Sequence, residues 1–287
     1  MKAFEEINRL SREVLIKKDI VHGLGFELVY ADTDSVFLKK NGASLEDFEN
    51  VNKILAREVG LPISLEHYYK FLVLLPLEAD EKMEALKHYF GITQSNELIA
   101  RGIEIRRHDV PNFIKEFQTE LLYILFDCKD SAEVLSKGYE NALLLVTKTI
   151  DKVMTGEIQI KDLVVSKMLR QDLTKYRSLF PHVSAALQLT DAGKSLIRGY
   201  IIQYIYTDEA HKNPLRRVVP LDLISEEHDC DKEKYRDMLL EAAESILGYF
   251  GFDRTVYGDR KKNRKWWYEL RHDRRKDIEI ERDVYDG

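Results

Sequence analysis

The chain has 287 residues, 44% of them hydrophobic, which is enough for one or two domains with a buried core. Its two cysteines, Cys128 and Cys230, make no Cys-x-x-Cys pair, which argues against a zinc site or a disulfide framework. No apolar leader follows Met1 and no apolar run approaches the roughly 18 residues that span a bilayer, so a soluble, cytoplasmic chain with no membrane partner is expected.

In chain order, Phe4, Ile7, Leu10, Val14 and Val21 recur at helical spacing until Gly23 and Gly25 stop the pattern. The apolar stretches Phe26–Val29 and Val36–Leu38 then flank Tyr30-Ala31-Asp32-Thr33-Asp34-Ser35, which reads as a β-hairpin with two carboxylates one residue apart near its tip. Side chains alternate along a strand, so Asp32 and Asp34 are expected on one face. Two bare carboxylates about 5 Å apart repel by roughly 3 kcal/mol at an effective dielectric near 20, and a divalent cation would turn that cost into binding. Aspartate and serine also form turns without any metal, but such turns do not call for apolar strands on both sides.

A second helix is expected from an N-cap at Ser44, with Asp47 three residues on, to about Val59 before Gly60. Residues 63–76, 82–90 and 97–105 are short, apolar or alternating, and read as further strands. From Pro111 the pattern changes to long helices at 112–126 and 131–154, the second capped by Asp130 with Glu133. A β segment over 199–206 and a helix over 231–250 follow. The expected fold class is therefore α+β: an antiparallel sheet with packed helices over 1–110, then a mostly helical domain over 111–287. The formal net charge is −6, yet nine basic residues stand against two acidic ones between Arg260 and Lys276, around Trp266 and Trp267. Such a run suits a nucleic acid or an acidic partner surface, or a solvated helix packed by its tryptophans.

Residues Tyr30 to Ser35 resemble the Tyr-x-Asp-Thr-Asp-Ser signature of family-B DNA polymerases. The resemblance continues in order: Leu86-Lys87-His88-Tyr89 resembles the Lys-Lys-Arg-Tyr element, and Gly102-Ile103-Glu104-Ile105-Arg106-Arg107-His108-Asp109 resembles Gly-x-Glu-x-x-Arg-Arg-Asp with one residue inserted. Lys175-Tyr176-Arg177 and Pro181-His182-Val183 resemble the thumb of archaeal members. The exonuclease domain, the other palm aspartate and the fingers helix of the complete enzyme have no match here, so the chain resembles the palm and thumb part, as in the small subunit of a split archaeal polymerase.

The resemblance implies a DNA-directed DNA polymerase that is inactive without a large subunit carrying the exonuclease, the rest of the palm and the fingers. It implies primer-template DNA and deoxynucleoside triphosphates as partners, two Mg2+ ions shared with that subunit, and a place in the cytoplasm at the nucleoid. Asp34 is implied as the main metal ligand, Asp32 as auxiliary or on a second ion, and Glu66 as a further palm carboxylate. Lys87 and Tyr89 are implied at the primer-template duplex. Leu86 and His88 depart from the family's basic residues there. Arg106 and Arg107 would lie beside the backbone, or pair with Glu104 and Asp109 as structural salt bridges. On the thumb, Lys167, Arg170, Lys175, Arg177 and His182 fall in the stretch that tracks phosphates. The alternatives are a non-catalytic DNA-binding remnant of a polymerase and a haloacid-dehalogenase-type phosphatase, whose Gly-Thr and Asp-Asp motifs are missing.

Overall fold

The computed structural model describes residues 18–31, 35–60, 62–76 and 84–258. The helix expected before residue 18, Asp32 and Asp34, and the basic run after 259 lie outside them. The chain divides into two compact units, Met1–Ile99 and Ala100–Gly287. Among the described residues no helix is long and apolar enough to cross a membrane.

The first unit opens with a short helix, α1 (Lys18–Gly23), and the hairpin of β1 (Glu27–Ala31) with β2 (Val36–Lys39). Gly25, at φ 77°, turns the chain from helix to strand in a conformation that side chains disfavour. Helix α2 (Leu45–Val59) starts at the expected cap: Ser44 Oγ accepts from the Asp47 amide at 3.3 Å, and the Asp47 carboxylate accepts from the Ser44 amide at 2.8 Å. Gly60, at φ 73°, closes it. Val51 and Leu55 of α2 pack with Val21 and Phe26 into one core, joined by Leu38, Phe48 and Ile63. The hairpin is thereby fastened to the helix that follows it.

A second sheet holds β3 (Tyr69–Pro76), β4 (Glu84–Thr93) and β5 (Leu98–Arg101) in that order. Residues 63–68, expected as strand, run irregularly into β3. They are pinned instead by side chains, since Asn52 Nδ2 donates to the Ile63 carbonyl at 2.9 Å and the Tyr68 hydroxyl donates to that of Ala43 at 3.0 Å. Strands β3 and β4 pair in register from Tyr89↔Leu74 to Thr93↔Tyr69, with one bulge. A Cβ on Gly91 would stand 2.4 Å from the Phe71 carbonyl oxygen, so the two backbones approach too closely there for any side chain. The segment expected as strand over 97–105 ends at Arg101, because Gly102 turns at φ 73° and a 3-10 turn, Glu104–Arg106, follows.

The second unit packs α3 (Asn112–Phe126), α4 (Tyr139–Thr155) and α6 (Lys232–Leu247) around a core that includes Leu121, Leu122, Val146, Leu239 and Ile246. Ahead of α4 come a helical turn, Ser131–Glu133, with Asp130 accepting from the Glu133 amide as expected, and a π-helical segment, Val134–Gly138. A Cβ on Gly138 would meet the Leu125 carbonyl at 2.4 Å, so α3 lies directly against this widened turn. The unit also carries an antiparallel sheet of β6 (Val165–Met168), β7 (Ile201–Tyr206) and β8 (Val218–Pro220), with α5 (Pro181–Asp191) between β6 and β7 in the chain. Tyr235, fully buried on α6, donates to the Leu163 carbonyl at 2.9 Å and accepts from the Tyr206 amide at 2.9 Å, stitching the helices to that sheet.

Candidate functional site

Within the first unit the site is organised by the β1–β2 hairpin. Pairing of Ala31 with Val36 leaves residues 32–35 to connect the strands, and a bulge between Leu28 and Tyr30 strengthens the local twist. The strands of the hairpin carry part of an aromatic group. The Tyr30 ring meets Phe37 edge-on at 5.3 Å, Phe37 meets Tyr89 edge-on at 5.3 Å, and Phe37 stacks on Tyr69 at 6.2 Å. The hairpin that carries Asp32 and Asp34 thus rests on large, interlocked rings from β2, β3 and β4.

Of the residues expected around the metal, Glu66 is exposed on the pinned segment before β3, while Asp32 and Asp34 lie outside the described residues. Among the described residues no group of three or more His, Cys, Asp or Glu side chains is arranged to hold a metal ion. Aspartate oxygens, such as those Asp32 and Asp34 carry, are the hard ligands magnesium takes, usually one or two per ion.

Lys87 and Tyr89 do not follow simple alternation. Strands β3 and β4 are in register at Leu74↔Tyr89 and again at Pro76↔Glu84, so one residue of β3 faces four of β4. Lys87 lies inside this bulge at φ 59°, a left-handed conformation unusual for a residue with a side chain. Its side chain is exposed, whereas Tyr89 is half-buried in the aromatic group. The Lys87 amide donates to the Tyr30 hydroxyl at 3.0 Å. Tyr30 was not expected to do more than introduce the aspartates; its partner is 57 residues away, and only the folded structure brings them together.

In the second unit, Arg107 grips Asp109 with two nitrogens, at 3.0 and 3.2 Å, and Lys167 Nζ pairs with the same carboxylate. The Arg107 guanidinium, followed by Lys167, holds the Asp109 carboxyl far below its ordinary range, and the same contact pushes Arg107 upward. Arg106 donates from Nε to the Ala100 carbonyl at 3.1 Å. Glu104 bonds neither arginine: its Oε2 accepts from Gln118 Nε2 at 2.8 Å and from the Ser245 hydroxyl at 2.7 Å.

The remaining basic candidates gather where β6 ends. The Arg170 amide donates to the Tyr176 hydroxyl at 3.0 Å, and the Leu169 amide donates to the Tyr200 carbonyl at 2.9 Å. Segments 170–182 and 197–201 therefore lie together. Arg170, Lys175, Arg177 and Arg198 are exposed there, Lys175 pairing with Asp172 at 2.8 Å. His182 stacks on Phe180 at 5.9 Å and meets Tyr176 edge-on at 5.6 Å; burial, with Lys167 nearby, pushes it toward its neutral form. In the same segments and at the end of β6, Met168, Phe180 and Ile201 are 53%, 52% and 58% exposed, so apolar as well as basic side chains face outward there. The pairing of exposed Met168 with exposed Ile201 was not legible in the sequence, because the two meet only through strand pairing.

The family model for DNA polymerase family B matches residues 2–281, and the chain belongs to that family. It is 30% identical to the DNA polymerase of Archaeoglobus fulgidus over 217 residues, covering 76% of this chain and 25% of that protein. It is 31% identical to DNA polymerase 2 of Aeropyrum pernix over 231 residues, covering 79% of this chain and 26% of that one. The fold is similar to that of the family B DNA polymerase from Pyrobaculum calidifontis, with a TM-score of 0.65 and 23% identity over 87% of this chain and 30% of the other. The chain spans about a quarter of the length of the two curated relatives named here.

Proposed function

We propose that the chain is the palm and thumb part of a split DNA-directed DNA polymerase, which takes up primer-template DNA and deoxynucleoside triphosphates in the cytoplasm at the nucleoid. The observation that carries this is the family match over residues 2–281, with Asp32 and Asp34 falling in the connection of a hairpin seated on an aromatic base. In this reading residues 1–110 are palm and 111–287 are thumb. The fingers, the exonuclease and the remaining palm aspartate come from a large subunit.

Asp34 is the main ligand for magnesium in this proposal, Asp32 a second one, and Glu66 a further carboxylate near them. Bound magnesium neutralises charge on the attacking and leaving oxygens of nucleotidyl transfer. Lys87, exposed on its bulge, holds the primer-template duplex, and Tyr89 supports it from the aromatic group below. On the thumb, Arg170, Lys175 and Arg177 meet backbone phosphates without reading sequence, and the exposed pair Met168 and Ile201 lies against sugar edges. Lys167, Arg106 and Arg107 serve this surface less directly, since each bonds a carboxylate or a carbonyl of the protein. His182, pushed toward neutrality, contributes its ring more than a charge.

Primer extension tests the reading. The chain alone, the large subunit alone and the two together are each supplied with magnesium, primer-template and four deoxynucleotides, with Asp34→Ala as control. Extension only in the mixture, and abolished by Asp34→Ala, is the expected result. Duplex binding without extension under any combination would point to the DNA-binding remnant instead.

A further inference from the structure

We propose that Tyr176 is a positioning residue of the thumb surface: its hydroxyl and its ring lock the turn that carries Arg170, Lys175 and Arg177 between the end of β6 and the start of α5, so that the three cations meet the duplex in one fixed arrangement. The inference rests on the polymerase reading above and gives a role to a side chain that touches no phosphate in it.

Pairing with the β7 side carries the chain as far as Leu169, whose amide donates to the Tyr200 carbonyl at 2.9 Å and whose carbonyl accepts from the Gly199 amide at 2.8 Å. Leu169 is fully buried, so the point at which the basic turn leaves the sheet is fixed. The next amide, that of Arg170, donates to the Tyr176 hydroxyl at 3.0 Å instead of to a strand. This bond closes residues 170–176 into a loop. A 3-10 turn, Leu173–Lys175, and the ion pair of Lys175 with Asp172 at 2.8 Å shape the backbone within it. Both are internal to the loop and do not set where it stands.

The Tyr176 ring supplies an anchor outside the loop. It meets His182 edge-on at 5.6 Å, and His182 in turn stacks on Phe180 at 5.9 Å. His182 lies in the first turn of α5, a helix that buries Val183, Ser184, Ala185 and Ala186, so the seat of the ring is itself held by the core. Lys175 and Arg177 flank half-buried Tyr176 in the chain and are exposed. Fixing this ring therefore fixes the backbone from which both side chains leave, while the hydroxyl does the same for Arg170. Cations ordered before the duplex arrives spare binding the entropy of ordering them. Loss of Tyr176 removes no charge but frees the places where three charges stand.

The test uses the full chain as wild type, Tyr176→Phe, Tyr176→Ala, a triple variant with Arg170→Ala, Lys175→Ala and Arg177→Ala, and that triple variant with Tyr176→Ala added. Affinity for a labelled primer-template is read by fluorescence anisotropy across a salt series, with urea unfolding as the check on the fold. The triple variant is expected to lower the salt slope by about 3, one for each phosphate contact. Tyr176→Ala removes no charge, yet should weaken binding by most of the triple-variant factor and lower the slope by at least about 1. A residue that only supports the fold would lower the unfolding midpoint and leave the slope alone. Tyr176→Phe keeps the ring and should fall between wild type and Tyr176→Ala; it carries the test if Tyr176→Ala does not fold. Added to the triple variant, Tyr176→Ala should cause no further loss. Wild-type affinity for Tyr176→Phe, or a full Tyr176→Ala loss on top of the triple variant, would overturn the proposal alone. Wild-type affinity for the triple variant would instead remove the DNA-binding reading of these cations, and the proposal with it.

Discussion

Gln118, fully buried in α3, donates its side-chain amide to Glu104 Oε2 at 2.8 Å, and its carbonyl oxygen accepts from the Ile105 amide at 2.7 Å. The same Nε2 lies 2.9 Å from the Ala242 carbonyl on α6. One polar side chain thus joins the turn after β5 to two helices of the second unit. Gln118→Leu keeps much of the volume but takes away the partner of the Ile105 amide and leaves Glu104 Oε2 with the Ser245 hydroxyl alone. An unsatisfied buried group costs about 1–3 kcal/mol, so a loss of roughly 3 kcal/mol is expected in urea unfolding. A loss under about 0.5 kcal/mol, the scale of an ordinary surface change, would show that the network is dispensable.

The buried pair of Arg254 and Glu244, at 3.1 Å with side chains 7% and 4% exposed, makes a non-additive prediction. Arg254→Met alone leaves a buried carboxylate beside an apolar chain and should cost about 3–5 kcal/mol. Adding Glu244→Leu should restore much of that stability, since the desolvated charge is gone. If the double variant unfolds as easily as the single one, the loss comes from removing Arg254 itself and not from a stranded carboxylate.

Asp109 gives a pH signature. Its carboxyl is depressed below the ordinary 3.8 by Arg107 and then Lys167, so the ion pairs add stability that is complete above that value. This contribution is lost as pH falls through the depressed folded value. Asp109→Asn should therefore be less stable than wild type near neutrality, by about 1 kcal/mol given the partial exposure of all three groups, and the difference should close in acid. Melting curves at pH 7 and below pH 3 compare the two. A gap that persists or widens in acid would contradict this assignment.

For the thumb surface, Arg170→Ala and Arg177→Ala should each weaken primer-template binding by a similar factor on unrelated sequences and lower the salt slope by about 1. Sequence-dependent losses would mean that these arginines read bases. The check is anisotropy on two duplexes of different composition over a salt range.

Much of the secondary structure could be read locally. Ser44, Asp47 and Gly60 announce both ends of α2, Asp130 caps its turn, and α3 runs over Asn112–Phe126, the span its apolar spacing indicated. These signals act within a few residues. Strands β6 and β8 have four and three residues, too short for any period to show, and exist because β7 lies between them. The same limit applies to the site. The Tyr30 to Ser35 motif is contiguous and was legible. The partners of Glu104 were not, since Ser245 is 141 residues away and an adjacent arginine looked the more natural choice. The bulge at Lys87 was hidden as well, because nothing in Leu86-Lys87-His88-Tyr89 favours a left-handed backbone.

That left-handed lysine sets stability and affinity against each other. Glycine would relax the φ of 59° and gain about 1 kcal/mol of backbone energy, while still offering its amide to Tyr30. It would also delete the charge. If Lys87 grips DNA as proposed, Lys87→Gly is therefore expected to melt higher and hold DNA less tightly than the native chain, and selection for thermal robustness alone would drift toward a firmer fold with a slacker hand.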